Sequence, residues 1–181
     1  MGILPRVQLR DWDACDSSTH KTVFGWCDHP EVPAHASRGM VAAMVFRVPD
    51  PAISPRRLAA HTWVAHYGDE PVAFVGGDLV AEWVTPEQFY PAQPSVEMPG
   101  PLLTISTLVA PEWWGRGVSA AAKAAVMAHP VAEAVESFHV SIRGDNTRSV
   151  KAILKIPGVQ FVGTSAEDGH PWRHYRWPPW Q

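Results

Sequence analysis

The chain has 181 residues, of which 46% are hydrophobic and 18% are charged. This composition is typical of a globular protein and excludes disorder throughout the chain, because disordered chains combine low hydrophobicity with high charge. The 15 basic and 18 acidic side chains give a net charge of −3, so no overall positive field attracts nucleic acids. The length predicts one compact domain.

The sequence also gives no sign of a membrane-spanning helix, a signal peptide, a structural disulfide or a metal site. No apolar run approaches the roughly 18 residues of a membrane-spanning helix, and the first 13 residues lack the apolar core of a signal peptide. We therefore expect a soluble, cytoplasmic protein with no membrane partner. Cys15 and Cys27 are expected to be reduced, because a chain of this size needs no disulfide. Their spacing with His20 and His29 matches no common structural zinc pattern, so no metal is predicted.

The first 57 residues carry weak patterns that predict short elements between prolines. Asp13 or Asp16 would cap the first of two helices. Prolines between residues 49 and 55 break the chain, because proline lacks a backbone donor and restricts the residue before it. The predicted elements are a strand at 6–10 and helices at 13–27 and 37–46.

The stretch that follows predicts an antiparallel hairpin. Its turn, at residues 67–70, contains a Gly-Asp pair that favours a tight reversal. Gly76 and Gly77 interrupt the second strand as a bulge would. The predicted strands are 58–66, 71–75 and, beyond the bulge, 78–84.

The second half of the chain predicts alternating strands and helices. Residues 85–101 are rich in proline and show no periodicity, which predicts a long loop. The later elements are a strand at 102–109, helix 118–128, strand 138–143, helix 147–155, and strands 159–164 and 173–177. The strands on either side of helix 118–128 must run parallel if the connection is a right-handed crossover. We therefore expect an α/β (α+β) fold with a mostly antiparallel sheet and one central parallel strand pair.

The turn before helix 118–128 carries the most chemical information. Gly115 and Gly117 allow the backbone to approach a ligand closely, and the first amides of a helix have no acceptor within it. These amides and the positive end of the helix dipole favour an anion. The sequence matches neither the G-x-G-x-x-G dinucleotide fingerprint nor the P-loop, so a different phosphate-containing ligand is expected.

Two segments of the sequence resemble the core of the GNAT superfamily of acyl-CoA-dependent N-acyltransferases. They are LLTISTLVAPEWWGRGVSAAAKAAV and FHVSIRGDNTRSVKAILKIPGVQFVG. The resemblance covers about residues 58–177 of a single domain 1–181, with 1–57 as a variable part and 178–181 as a tail. It implies a GNAT-like fold and direct acyl transfer, with acetyl as the expected group, from acetyl-CoA or another acyl-CoA to an amine.

The resemblance also implies which residues contact the co-substrate. In the superfamily a strand end and the turn after it hold the pantetheine and diphosphate of acyl-CoA, and an asparagine at the next strand–helix junction lies beside them. The corresponding residues here are Leu108 and Val109 at the strand end, Trp114, Gly115, Arg116, Gly117, Val118 and Ser119 in the turn, and Asn146 and Ser149 at the junction.

Three positions differ from the superfamily pattern. Trp114 stands where Gln or Arg is usual, and Ser119 replaces a Gly or Ala. Backbone amides bind an anion whatever the side chain, so these two changes leave the expected site in place. Ile153 occupies the position of the tyrosine that many members use as a general acid, and an apolar side chain cannot donate a proton.

Acyl transfer to an amine requires a base for the amine proton. The thiolate leaving group needs little help from an acid, because thiols have pKa values near 8.5. The candidate bases are His61 and Glu82 on the predicted hairpin and His139 on strand 138–143. Tyr175, on the last strand, is the fallback proton donor.

The C-terminal stretch 170–181 interleaves aromatic and basic residues and has two interpretations. One is binding of single-stranded nucleic acid, and the other is a final strand held against the sheet by large rings, which the negative net charge favours. Three functions therefore stay open: an N-acyltransferase, which is preferred, a degenerate acyl-CoA-binding protein without turnover, and a GNAT-fold enzyme acting on a nucleic-acid base. The acceptor, small or macromolecular, is not determined, and a homodimer is left open.

Overall fold

The computed structural model describes residues 5–32, 36, 38–47, 57–84, 97–167 and 169–179. The strands are β1 (Gln8–Asp11), β2 (Arg57–Tyr67), β3 (Glu70–Val84), β4 (Glu97–Val109), β5 (Ser137–Arg143), β6 (Gln160–Glu167) and β7 (His170–Trp177). The helices are α1 (Ser17–Trp26), α2 (Arg38–Val45), α3 (Val118–Met127) and α4 (Thr147–Ile153). Within these residues no helix is both long enough and apolar enough to cross a membrane.

The strands form one sheet in the order β1-β2-β3-β4-β5-β7-β6. Strand β4 pairs with β5 in parallel, while β1 pairs with β2, and β7 with both β5 and β6, in antiparallel orientation. Helix α3 connects β4 to β5, as a parallel pair requires. The predicted fold class is therefore confirmed, including the central parallel pair.

Strand β4 begins earlier than the sequence predicts. The sequence predicts a loop over 85–101, whereas residues 97–101 belong to β4. Pro99 and Pro101 explain this error, because proline cannot donate to a strand ladder and is rare inside sheets. The rest of the predicted loop, 85–96, and the predicted break at prolines 49–55 lie outside the described residues.

Helix α1 is shorter than predicted at its start. Residues Trp12–Ala14 form a short 3₁₀ helix, and α1 begins at Ser17. Of the two predicted caps Asp16 is confirmed, since its Oδ1 accepts from the Thr19 N–H at 2.7 Å. The last two strands are longer than predicted and helix α4 ends two residues earlier, at Ile153.

The chain divides into two compact units, so a single domain over 1–181 stays a prediction. The first unit comprises Met1–Pro49, Ala60–Gly77 and Ser106–His129. Trp12 lies at its centre, with its ring stacked on His20 at 4.1 Å and in edge contact with Phe74 at 5.5 Å. The buried core is Trp12, Val23, Trp26, Val41, Val64, Phe74, Leu108 and Ala110.

The second unit comprises Asp50–Ala59, Asp78–Ile105 and Pro130–Gln181. Strand β7 lies between β5 and β6, and its Tyr175 and Trp177 are buried. The Trp177 ring stacks on Phe138 at a centroid distance of 5.7 Å. These rings are packed inside the fold and are not available to stack nucleic-acid bases, which favours the structural interpretation of the C-terminal stretch.

Substitution Trp177→Ala tests this anchoring role. Loss of a fully buried indole leaves a cavity beside Phe138, and we expect the free energy of unfolding to fall by about 3–5 kcal/mol in urea denaturation. Trp177→Phe keeps a ring and should lose clearly less. Equal denaturation midpoints for the wild type and Trp177→Ala would contradict the role.

Candidate functional site

The turn between β4 and α3 has a conformation that requires glycine. Gly115 and Gly117 have φ angles of +74° and +80°, in the left-handed region that other residues rarely adopt. A Cβ added to Gly115 would meet no atom within 4 Å, so the backbone conformation, and not space, requires glycine there. Gly115, Arg116 and Gly117 are all exposed.

Helix α3 begins directly after this turn and has no side-chain cap. Gly117 is the N-cap residue, and its carbonyl accepts the first helical hydrogen bond, from the Ala121 N–H at 3.0 Å. The amides of Val118 and Ser119 precede any helical acceptor and point out of the helix end. An exposed helix end of this kind can bind an anion through backbone N–H groups and the helix dipole.

The two tryptophans before the turn are each held by other contacts. The Trp113 indole N–H donates to Glu70 Oε1 at 2.8 Å, and the Arg116 guanidinium carbon lies 5.2 Å from the Trp113 ring centroid. The Trp114 indole N–H donates to the Val109 carbonyl at 2.9 Å, and the ring is in edge contact with His29. The glycine turn is exposed beside them.

The last residues of β4 point their backbone groups in alternate directions. The Ala110 N–H donates to the Val72 carbonyl of β3, so the backbone groups of Val109, one residue earlier, point to the other side of the strand. The Leu108 side chain is buried in the core. Val109 therefore presents backbone groups away from β3, and its carbonyl already accepts from Trp114.

Lys123 is a buried cation in α3 that the sequence analysis missed. The residue has 7% exposure, and its Nζ donates to Ser119 Oγ at 2.9 Å and to Thr107 Oγ1 at 3.1 Å. Burial lowers the pKa of Lys123 to about 8. The available signal in the sequence was a single charged residue, a lysine, within an alanine-rich helix.

Asn146 caps helix α4. Its Oδ1 accepts from the Ser149 N–H at 3.1 Å, so the two junction residues that the resemblance implies are joined by the cap. Arg143 and Asp145 form an ion pair just before them. Both Asn146 and Ser149 are partly exposed.

The four candidate catalytic residues have different surroundings. His61 is partly exposed, and its ring stacks on Trp63 at 5.3 Å, while Glu82 is exposed on β3. His139 and Tyr175 are buried, with 1% and 2% exposure. Each residue belongs to a strand, and only the first two have access to solvent.

His139, which the sequence singles out only as a candidate base, belongs to a buried polar network that the sequence does not reveal. Its Nε2 lies 3.3 Å from His174 Nδ1, and Ser141 Oγ lies 3.0 Å from that same atom. His174 Nε2 lies 2.7 Å from Ser165 Oγ. Burial lowers the pKa of His139 well below its usual value and that of His174 to about 4, so both imidazoles are neutral near pH 7.

The chain is similar to solved structures of acetyltransferases. No family model and no curated protein matches it by sequence. The aminoglycoside acetyltransferase AAC(6')-Ib, in complex with paromomycin and acetyl-CoA, shares 14% identity over 96% of this chain and 93% of its own, with a TM-score of 0.61. An aminoglycoside N(6')acetyltransferase from Legionella pneumophila shares 16% identity over 98% and 94%, with a TM-score of 0.63.

A spermidine N-acetyltransferase chimera from Vibrio cholerae shares 11% identity over 96% of both chains, with a TM-score of 0.58. The strand order, the parallel β4–β5 pair and these similarities define the fold, which is the mixed α/β fold that these acetyltransferases also have. The chain has the GNAT fold. At these identities the similarity establishes the fold and does not by itself define the reaction.

Lys123→Met tests the energetic cost of the buried ammonium. The pKa of Lys123 is lower in the folded chain than the usual 10.5, so the unfolded chain binds more protons between about pH 8 and 10.5. The cost to the folded state is therefore full below pH 8 and disappears above 10.5. A methionine removes this cost but leaves two hydroxyls without their donor, so we expect the variant to be more stable by roughly 1–3 kcal/mol at pH 7.

The difference from the wild type should shrink towards pH 10 in urea denaturation. A variant that is less stable than the wild type at pH 7, with a difference independent of pH, would contradict this assignment.

Proposed function

We propose that the protein is an N-acetyltransferase that moves an acetyl group from acetyl-CoA directly to an amine. The observation that carries the proposal is the exposed glycine turn, with two left-handed residues, at the start of α3. A diphosphate suits such a turn because the first amides of the uncapped helix and the positive end of the helix dipole favour an anion. The GNAT fold of the chain supports the same conclusion.

In this proposal the turn at residues 114–119 holds the diphosphate of acetyl-CoA. The N–H groups of Trp114 and Arg116 already donate to the Pro111 and Trp113 carbonyls, so the contacts come from the first amides of α3, those of Val118 and Ser119. Val109 offers its N–H on the strand side away from β3 to the pantetheine amides. Leu108 has its side chain in the core and its backbone on the β3 side, so it makes no direct contact in the proposal. The resemblance to the GNAT superfamily also implies Asn146 and Ser149 as contacts of the co-substrate, and the proposal includes them on that basis.

The reaction needs a neutral amine and a leaving thiolate. The amine nitrogen attacks the thioester carbonyl carbon, the C–S bond breaks, the thiolate of coenzyme A leaves, and the amine proton passes to a base. Ile153 is buried and apolar, so no acid acts from that position. Thiols have pKa values near 8.5, which allows the thiolate to leave unassisted at neutral pH.

His61 is the proposed base, with Glu82 as the alternative. Both have access to solvent, which an incoming amine requires, whereas His139 and Tyr175 are enclosed. An imidazole suits this role at neutral pH better than a carboxylate, because its ordinary pKa is nearer to 7. His139 is assigned a structural part in the buried network instead.

The acceptor belongs to the class of amines. The structural neighbours bind paromomycin or are named for spermidine, and both compounds are amines.

A cofactor-binding protein without turnover is the second candidate. Ile153 removes the usual proton donor, and the Trp114 indole already uses the Val109 carbonyl. Calorimetric binding of acetyl-CoA without thiol release against a panel of amines would favour this second function. Thiol release with any amine favours the first.

Gly117→Ala tests the turn. A Cβ at a φ of +80° strains the backbone by about 1–2 kcal/mol and moves the first amides of α3, so we expect acetyl-CoA binding to weaken at least tenfold by calorimetry. Gly25→Ala is the matched control, because Gly25 lies in α1 with ordinary φ and open space at its Cβ. Unchanged binding by Gly117→Ala would show that the turn does not hold the co-substrate.

His61→Asn tests the base. Loss of the residue that removes the amine proton is expected to lower kcat by about a hundredfold, within the usual range for a general base, while acetyl-CoA binding stays unchanged. Glu82→Gln should lower kcat less than tenfold. The opposite order of effects would transfer the role to Glu82.

A further inference from the structure

Lys123 carries a buried charge that no carboxylate balances among the residues that the structure describes. Its Nζ donates to the hydroxyls of Ser119 and Thr107, at 2.9 and 3.1 Å. A buried ammonium without an opposite charge is unfavourable in the free protein. Buried ionisable groups of this kind cluster at functional sites, where a ligand can supply the opposite charge.

The ammonium lies at the start of α3, next to the proposed anion site. Side chains in a helix lean towards its N-terminus, and Lys123 reaches back one turn to Ser119. The N–H of Ser119 is one of the first-turn amides with no helical acceptor, and its hydroxyl accepts from Nζ. One residue therefore joins the buried cation to the backbone that would bind the anion.

We infer that Lys123 neutralises the diphosphate of the acyl-CoA from inside the fold, and that its charge sets the affinity of the site for this group. The inference rests on the proposed function. Ser119 and Thr107 hold the ammonium with neutral oxygens, so neither of these two partners cancels its charge. Because the lysine is enclosed, water screens its charge less than that of an exposed lysine.

The charged residues of α3 and of β1, the strand packed against it, do not balance the charge of Lys123. Helix α3 contains no other charged residue. Strand β1 packs against it, but both charged residues of β1 are exposed, and Arg10 pairs with Asp69. Burial alone lowers the pKa of Lys123 to about 8.

A bound diphosphate favours the charged form and raises this pKa again. Affinity is then full below about pH 8 and falls as the pH rises through the value in the free protein.

The test is calorimetric titration with a non-hydrolysable thioether analogue of acetyl-CoA between pH 7 and pH 10. For the wild type we expect about tenfold weaker binding at pH 10 than at pH 7, with net proton uptake at pH 8.5 in buffers of different ionisation enthalpy. Lys123→Met should bind about tenfold more weakly than the wild type at pH 7, with a flat profile and no proton uptake. Lys21→Met, an exposed lysine of α1, is the control for net charge and should match the wild type.

Truncated ligands show whether the loss of affinity in Lys123→Met depends on the diphosphate. The loss in Lys123→Met should persist with the analogue that lacks the 3'-phosphate and should be absent with the pantetheine thioether, which has no diphosphate. A merely structural role would give the same loss with all three ligands and no change in proton uptake, and would overturn the inference.

Two failures are distinguishable. If the wild type binds the analogue and Lys123→Met binds with the same affinity and pH dependence, the role of Lys123 is wrong and the proposed function stands. If the folded wild type does not bind the analogue at any pH, the proposed function falls and the inference falls with it.

Discussion

The left-handed backbone at Gly115 and Gly117 is the constraint on which the candidate site depends. These two residues turn the chain sharply after β4 and allow α3 to begin without a side-chain cap. The first amides of α3 consequently face outwards at an exposed position, where an anion can take the place of the missing cap. Any L-residue with a side chain would disfavour this conformation, because its Cβ would crowd the neighbouring carbonyl.

The buried ionisable groups of the two units differ in their charge at neutral pH. In the first unit a buried lysine is held by hydroxyls and keeps a pKa of about 8, so it is mostly charged at neutral pH. In the second unit two buried histidines lie against each other and two serines, and burial keeps both rings neutral. The charged group is therefore suited to electrostatic binding, whereas the neutral network links β5, β6 and β7 by hydrogen bonds.

Much of the fold follows from local sequence patterns. The β-branched run at 102–109, the alanine-rich helix and the alternation at 138–143 each indicate their element. The crossover through α3 is the kind of connection that a parallel pair needs. The start of β4 was not predictable, because Pro99 and Pro101 oppose a strand locally and tertiary pairing overrides them. The boundaries of α1 and α4 differ by a few residues for a similar reason, since caps and burial fix helix ends.

The sequence by itself determined the glycine turn. Only glycine readily adopts the left-handed conformation found at residues 115 and 117, and both glycines directly precede the alanine-rich helix α3 in the sequence. It could not determine which polar side chains become enclosed, because burial depends on residues far apart in sequence. Tertiary structure alone decided that Lys123 meets Thr107, that His139 meets His174, and that His61 and Glu82 keep access to solvent. The physical reason is that desolvation and hydrogen bonding, which set the charge of each group, arise only when separate strands and helices pack together.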